Sequence, residues 1–199
     1  MAGRTTPPER IEVGGDGRRG PLVIRRLLPD DAPAVARAID ESLDHLRPFL
    51  PWATPANVTA ESQRRRLESP ELAWTADAEH WGYGVFAAAE GAPLVASCGL
   101  HKRRGPGTLE VGYWVHAAHL RRGIATAAAR AMTDAGFAVA GVEAMEILCD
   151  VANHASAAVA RRVGYRLAGT IEHAAEAPSE TGQRFVFTVT RAEWRATHH

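Results

Sequence analysis

Apolar and polar positions alternate along this chain in blocks that mark short strands, separated by fewer stretches of helical period. The clearest block is Leu109 to Arg130, LEVGYWVHAAHLRRGIATAAAR. Leu109–Val115 is rich in β-branched and aromatic residues and reads as a strand. Arg121-Arg122-Gly123 is a tight basic turn, and the alanine-rich run after it favours helix. Ile124, Ala128, Ala131, Met132 and Ala135 fall on one helical face, with Arg130 and Asp134 off it.

The flanking pattern extends this in both directions. Leu22–Leu27 reads as a short strand, and Pro29-Asp30-Asp31 opens a helix over Ala32–Leu43 with Val35, Ala38, Ile39 and Leu43 inward. Thr59–Ala78 reads as a second helix that Pro70 can break, with Leu67, Leu72 and Trp74 apolar and Arg64-Arg65-Arg66 a basic run that reads as a solvated face or, less simply, as a contact for an acidic partner. Trp81–Ala89 and Leu94–His101 form a hairpin through Glu90-Gly91-Ala92-Pro93, and Lys102–Gly107 turns into the central strand. Downstream, Ala144–Val151 is a strand and His154–Val163 a helix capped by Asn153 and stopped by Gly164. Tyr165–Ala168 begins another strand, Arg184–Thr190 is the last, and Ala192-Glu193-Trp194 closes the chain.

Composition narrows the class. The chain has 199 residues, with 23 basic and 23 acidic side chains, so charge implies no nucleic-acid or membrane partner. Residues 1–20 are rich in Gly, Pro, Arg and Glu and are expected to be a flexible N-terminal segment. Residues 21–199 show no repeat and no interior linker, which implies a single domain. The two cysteines, Cys98 and Cys149, lie in apolar strand-like runs and read as buried thiols, not a disulfide framework or a metal site. Neither a membrane-length apolar run nor a signal peptide is evident, so a cytoplasmic location is expected.

Three stretches could carry chemistry. A helix N-terminus opening on Arg121-Arg122-Gly123 offers unpaired N–H groups, a positive dipole end and a close backbone approach, which suit a phosphate or pyrophosphate. The same residues also fit a plain basic helix start. His45–Trp52, HLRPFLPW, holds large apolar groups in a segment that two prolines keep from being helix. Phe49 and Trp52 read either as a plug at the core edge or as an aromatic wall of a substrate pocket. Glu110 and Glu176 are carboxylates that could take a proton from an amine, or ordinary surface acids. His116, His119 and His154 have no triad spacing, and Ser156 lacks a nucleophile-elbow context.

The loop Leu120-Arg121-Arg122-Gly123-Ile124-Ala125 resembles the coenzyme A loop of the GNAT acetyltransferase superfamily, with Leu120 where the family writes Gln or Arg. HLRPFLPW resembles a segment of its RimJ/RimL branch, which acetylates N-terminal amines of ribosomal proteins or related amines. The resemblance spans about Leu22 to Trp194. It implies an α+β GNAT fold with a mixed, mostly antiparallel sheet of about six to seven strands and about four helices, in which three antiparallel strands precede the loop helix.

The resemblance also implies site roles. Acetyl-CoA would be the co-substrate, with no metal. Trp114 and Val115 would meet the pantetheine arm and acetyl carbonyl, Arg121 to Thr126 (with Arg122, Gly123, Ile124 and Ala125) the pyrophosphate, and Asn153 the pantetheine or phosphate region. Many members keep a tyrosine seven residues after that Asn to protonate the thiolate. Here the place is Ala160, and Ser156 matches the serine of the RimL-like branch. That branch's glutamate aligns with Ala175, one residue before Glu176. Phe49 and Trp52 would lie near the acceptor. The implied reaction is direct acetyl transfer to a primary amine, on a protein N-terminus or on a small molecule such as an antibiotic or metabolite. A non-catalytic acyl-CoA-binding protein is the rival, and a homodimer is compatible with either.

Overall fold

A computed structural model describes residues 4–89 and 91–198. The alternating blocks become eight strands: β1 (Arg10–Val13), β2 (Leu22–Arg26), β3 (His80–Ala87), β4 (Leu94–His101), β5 (Thr108–Val115), β6 (Ala144–Asp150), β7 (Arg166–Glu172) and β8 (Gln183–Thr190). They form one sheet in the order β1-β2-β3-β4-β5-β6-β8-β7. Neighbours are antiparallel except β5 and β6, which run parallel. Three successive antiparallel strands, β3, β4 and β5, do precede the central helix.

Six α-helices cover the sheet: α1 (Ala32–Asp40), α2 (Leu43–Leu46), α3 (Ala60–Leu67), α4 (Ile124–Phe137), α5 (His154–Val163) and α6 (Arg191–His198). On one face, α4 and α5 pack over Trp81, Tyr83, Leu100, Val111 and Met145 in the larger core. The stripe Ile124, Ala128, Ala131, Met132 and Ala135 is buried there, while Arg130 and Asp134 stay exposed. The alanines let α4 lie close to the sheet, and at Gly136 an added Cβ would come within 2.5 Å of Met145 Sδ. On the other face, Val35, Ala38 and Ile39 of α1 pack with Leu27 and Leu94 in a smaller cluster that Trp114 and Leu67 join. Burying each large side chain in these cores contributes about 1.5–3 kcal/mol.

The α+β class stands, with more elements than the pattern suggested. Residues 4–20, read as loosely ordered, include β1, and Arg4 exchanges backbone hydrogen bonds with Ala138 and Ala140 beyond α4. The long second helix is shorter than expected: α3 ends at Leu67, and Pro70–Leu72 is a separate 3₁₀ turn because proline cannot continue the ladder. Ala192-Glu193-Trp194 belongs to α6, which Trp194 ties to α4 by donating from Nε1 to Asp134 at 2.7 Å. Glu90, the first residue of the β3–β4 turn, lies outside the described residues, as do Met1–Gly3. Among the described residues no helix is long and apolar enough to cross a membrane.

Candidate active site

The sheet opens where β5 meets β6. Their parallel pairing runs only from Thr108↔Ala144 to Glu110↔Glu146, although β5 continues to Val115 and β6 to Asp150. Five residues of β5 are left with a backbone edge unpaired on that side. An extended chain can add to such an edge through main-chain hydrogen bonds. The gap belongs to a cleft of about 1140 Å³ lined in part by Val111, Tyr113, Val115, Ile147 and Cys149.

The gap leads to the start of α4. His116 Nδ1 accepts the Ala118 N–H at 3.1 Å, so its Nε2 carries the proton and donates to Glu41 Oε2 at 2.9 Å. The Ala117 N–H donates to Ser42 Oγ at 3.0 Å. These bonds pin the loop to the end of α1. Arg121 has φ 60° and Gly123, the N-cap of α4, has φ 78°. The left-handed conformation costs a non-glycine residue about 1–2 kcal/mol, and such strain gathers at ligand clamps. No side chain caps α4, and a Cβ added at Gly123 would meet nothing within 4 Å. The first N–H groups of the helix therefore face open space beside Arg121 and Arg122, both exposed. Ile124 is buried, so only its backbone can serve a ligand. This cradle fits a pyrophosphate, and the unpaired edge of β5 fits an amide-bearing arm.

Across the gap, α5 presents its first turn. Asn153 Oδ1 accepts the Ser156 N–H at 3.1 Å, which caps the helix and leaves the Asn153 amide nitrogen without a partner among the described residues. Ser156 Oγ lies 3.0 Å from the Tyr113 hydroxyl, which also donates to Ser156 O at 3.3 Å. Burial pushes the Tyr113 phenol up despite the Ser156 hydrogen bond, so it is a proton donor and not a phenolate. Burial likewise raises the thiol of Cys149. Tyr113 is the residue that the strand pattern gave no reason to single out.

The third wall faces α1 and α3. Gly82, Gly99 and Gly112 stand in register on β3, β4 and β5 and form a row across the sheet, into which the side chains of Leu72, at Gly82, and His101, at Gly112, lean. Trp114 borders it on one side and packs against Trp52, ring centroids 6.3 Å apart. His80, His101 and Glu110 form the next cross-strand row on the other side. The two histidines stack at 5.0 Å, and burial, then the charges of Arg103 and His80, hold His101 down to about 3. Glu110 is paired with Arg103 at 2.8 Å. Glu176 is exposed on the β7–β8 loop, where its N–H donates to Glu180 Oε2 at 2.8 Å. That loop also closes on the HLRPFLPW segment through the Ser179 N–H and Pro48 O at 2.9 Å.

The expected site residues fall in two places, and Arg122 and Ile124 line neither. Phe49, Trp52, Glu110, Trp114, Val115, Ala125, Asn153, Ser156 and Glu176 line the one cleft. Arg121, Gly123 and Thr126 line an adjoining groove between α4 and the N-terminal arm. Glu110 and Glu176 enter the cleft from different elements, and neither makes a hydrogen bond to Ser156. Among the described residues no group of three or more His, Cys, Asp or Glu could hold a metal ion.

Comparison with known proteins agrees with this geometry. The sequence matches the acetyltransferase (GNAT) domain over residues 21–166. A search of the curated proteins finds no significant match. Among solved structures, a ribosomal-protein-S5-alanine acetyltransferase from Vibrio fischeri aligns at TM-score 0.77 and 18% identity, covering 92% of this chain and 98% of that one. Mycobacterium smegmatis RimJ in complex with CoA-disulfide aligns at TM-score 0.77 and 20% identity, covering 94% and 88%. RimL, a ribosomal L7/L12 α-N-protein acetyltransferase in complex with coenzyme A, aligns at TM-score 0.74 and 19% identity, covering 85% and 93%.

Proposed function

The chain belongs to the GNAT acetyltransferase family and is an acetyl-CoA-dependent acetyltransferase, and from that premise we propose that it acetylates the N-terminal amine of a protein by direct transfer in a ternary complex. The observation that carries this reading is one cleft that holds a free strand edge, a hydroxyl pair and an aromatic wall. The unpaired edge of β5, the Tyr113–Ser156 pair and the row of glycines line it, and the uncapped start of α4 lines a second groove that meets it along the chain, with Ala125 on the cleft and Gly123 and Thr126 on the groove. A peptide N-terminus needs such an open trough. The solved structures of similar fold include enzymes named for ribosomal-protein acceptors. Two buried free cysteines suit a reducing cytoplasm.

Acetyl-CoA supplies an activated acyl group with a thiolate leaving group. The chain's own residues do the rest. The Gly123 cradle and the first N–H groups of α4 hold the pyrophosphate, and the free edge of β5 near Trp114 and Val115 holds the arm and polarises the acetyl carbonyl. Asn153 turns its free amide toward the arm. Ser156 and Tyr113 provide the O–H that meets charge developing on sulfur. The attacking amine must be neutral, and Glu176 through water, or Glu110 at the far end of the trough through a longer path of ordered waters, accepts its proton. Phe49 and Trp52 shape the acceptor side.

The reading is tested by coenzyme A release from acetyl-CoA, screened over N-terminal peptides and small amines. Peptide acceptors should turn over best, and Glu110→Gln or Glu176→Gln should lower the rate and remove the acid limb of the pH profile for whichever carboxylate is the base. Turnover confined to small amines would refute the peptide acceptor.

A further inference from the structure

The acceptor cleft is lined by three arginines among the described residues, and two are neutralised in place. Arg103 pairs with Glu110 and Arg184 with Glu180, each at 2.8 Å. Arg66, in the last turn of α3, makes no ion pair among the described residues. Its Nε donates to Gln63 Oε1 at 3.0 Å. Gln63, only 2% exposed, donates from its amide to Asn57 O at 2.7 Å, and Asn57 donates to Trp52 O at 2.6 Å. This chain of bonds sets the stem of the guanidinium relative to the aromatic wall. The two terminal nitrogens are left without a partner among the described residues. Arg66 lines the cleft together with His80, whose pKa is lowered first by burial and then by the charges of Arg66 and Arg103.

A fixed guanidinium with both terminal nitrogens free matches the planar, two-oxygen edge of a carboxylate or phosphate. We propose that Arg66 is an anion subsite of the acceptor cleft, and that the preferred acceptor carries a carboxylate or phosphate several bonds from its reacting amine. The proposal rests on the acetyltransferase reading for the position of the amine, beside Trp114 and the Tyr113–Ser156 pair. Glu110 and Trp114 lie four residues apart on the same face of β5, a separation of about 13 Å at the strand rise. His80 lies in the Glu110 row two strands away, about 10 Å across the sheet, which puts it about 16 Å from Trp114, and it lines the cleft together with Arg66. An α-amino acid's own carboxylate is too close to its amine to span that length. An acidic side chain at about the fourth residue of an extended peptide spans it, with the peptide crossing the glycine row beside Leu72 and His101.

The test uses N-acetylated hexapeptides that differ only at residue four: Glu, Gln or phosphoserine. Their binding to the full chain loaded with coenzyme A is measured by calorimetry, so turnover is not required. The Glu or phosphoserine peptide should bind about tenfold more tightly than the Gln peptide, the ratio a charged hydrogen bond supports. Whichever is tighter identifies the anion. In Arg66→Gln the three should bind alike, and Arg66→Lys should keep part of the preference. Gln and Lys keep a long stem beside Gln63 and Arg66 makes no ion pair among the described residues, so both variants should melt near the wild type. Equal binding of all three by the wild type, or no binding, overturns the subsite. So does a preference that survives Arg66→Gln. Binding with the expected preference but no acetyl transfer to the free-amine peptides would refute the transfer reading and leave the subsite standing.

Discussion

The hydroxyl of Tyr113 on β5 sits 3.0 Å from that of Ser156 on α5, a bond that bridges the two walls of the opened sheet. Each oxygen can donate to the other, and neither is committed to a charged partner. On the proposed mechanism Ser156 therefore does not act alone. Ser156→Ala should lower kcat about 10²-fold, the lower range for a positioned acid, with acetyl-CoA affinity little changed because the O–H matters once charge reaches sulfur. Tyr113→Phe should act in the same direction, and the double variant should be no worse than the worse single, as for groups that work as a unit. Steady-state rates under chemistry-limited conditions check this. Multiplying losses would mean that the two hydroxyls act separately.

Gly123 separates ligand binding from folding. Asn tolerates the left-handed region and Val does not. Gly123→Asn should keep the melting temperature within a few degrees while filling the open space at the α4 start, weakening acetyl-CoA by about tenfold or more in a calorimetric titration. Gly123→Val should lose both affinity and stability, because φ 78° strains a β-branched residue. Unchanged affinity in Gly123→Asn would remove the pyrophosphate from this loop.

Trp52 is half-exposed at 38% and its ring packs against Trp114. Trp52→Ala should raise KM for the acceptor severalfold and leave acetyl-CoA affinity nearly constant. Parallel losses in both, with a lower melting temperature, would make the segment only a plug at the core edge.

His101 should make the protein acid-sensitive above the range where carboxylates titrate. Burial, then Arg103 and His80, hold its folded pKa down to about 3, against about 6.5 unfolded. Between those values the unfolded chain binds a proton that the native state does not, so stability falls as pH drops from about 6.5 toward 3. Denaturant titrations at pH 7 and pH 5 should show a loss that is smaller in His101→Gln. An identical loss in both would place the acid sensitivity elsewhere.

Much of the central motif was legible because its signals are local. A period-two run, a glycine and an alanine-rich helix sit next to one another in sequence, and Leu94–His101 and His154–Val163 form with the bounds their patterns suggest. β1 was not legible, because four residues in a Gly- and Arg-rich segment become a strand only through β2. The Tyr113–Ser156 pair joins residues 43 apart and exists only once the sheet opens. Arg66 belongs to a run that reads as a solvated face, and only the turn of α3 over the cleft distinguishes it from Arg64 and Arg65, which pair with Glu68 and Glu61.

Direct transfer through one cleft is tested by a single turnover with acetyl-CoA labelled in its acetyl group. Enzyme in excess is mixed with the labelled compound, with and without a peptide acceptor, and the protein and peptide are separated and counted. Label should stay on acetyl-CoA without acceptor and pass to the peptide amine with it, with none retained on the protein. Stable label on the protein before acceptor is added, or none reaching any amine, would contradict it.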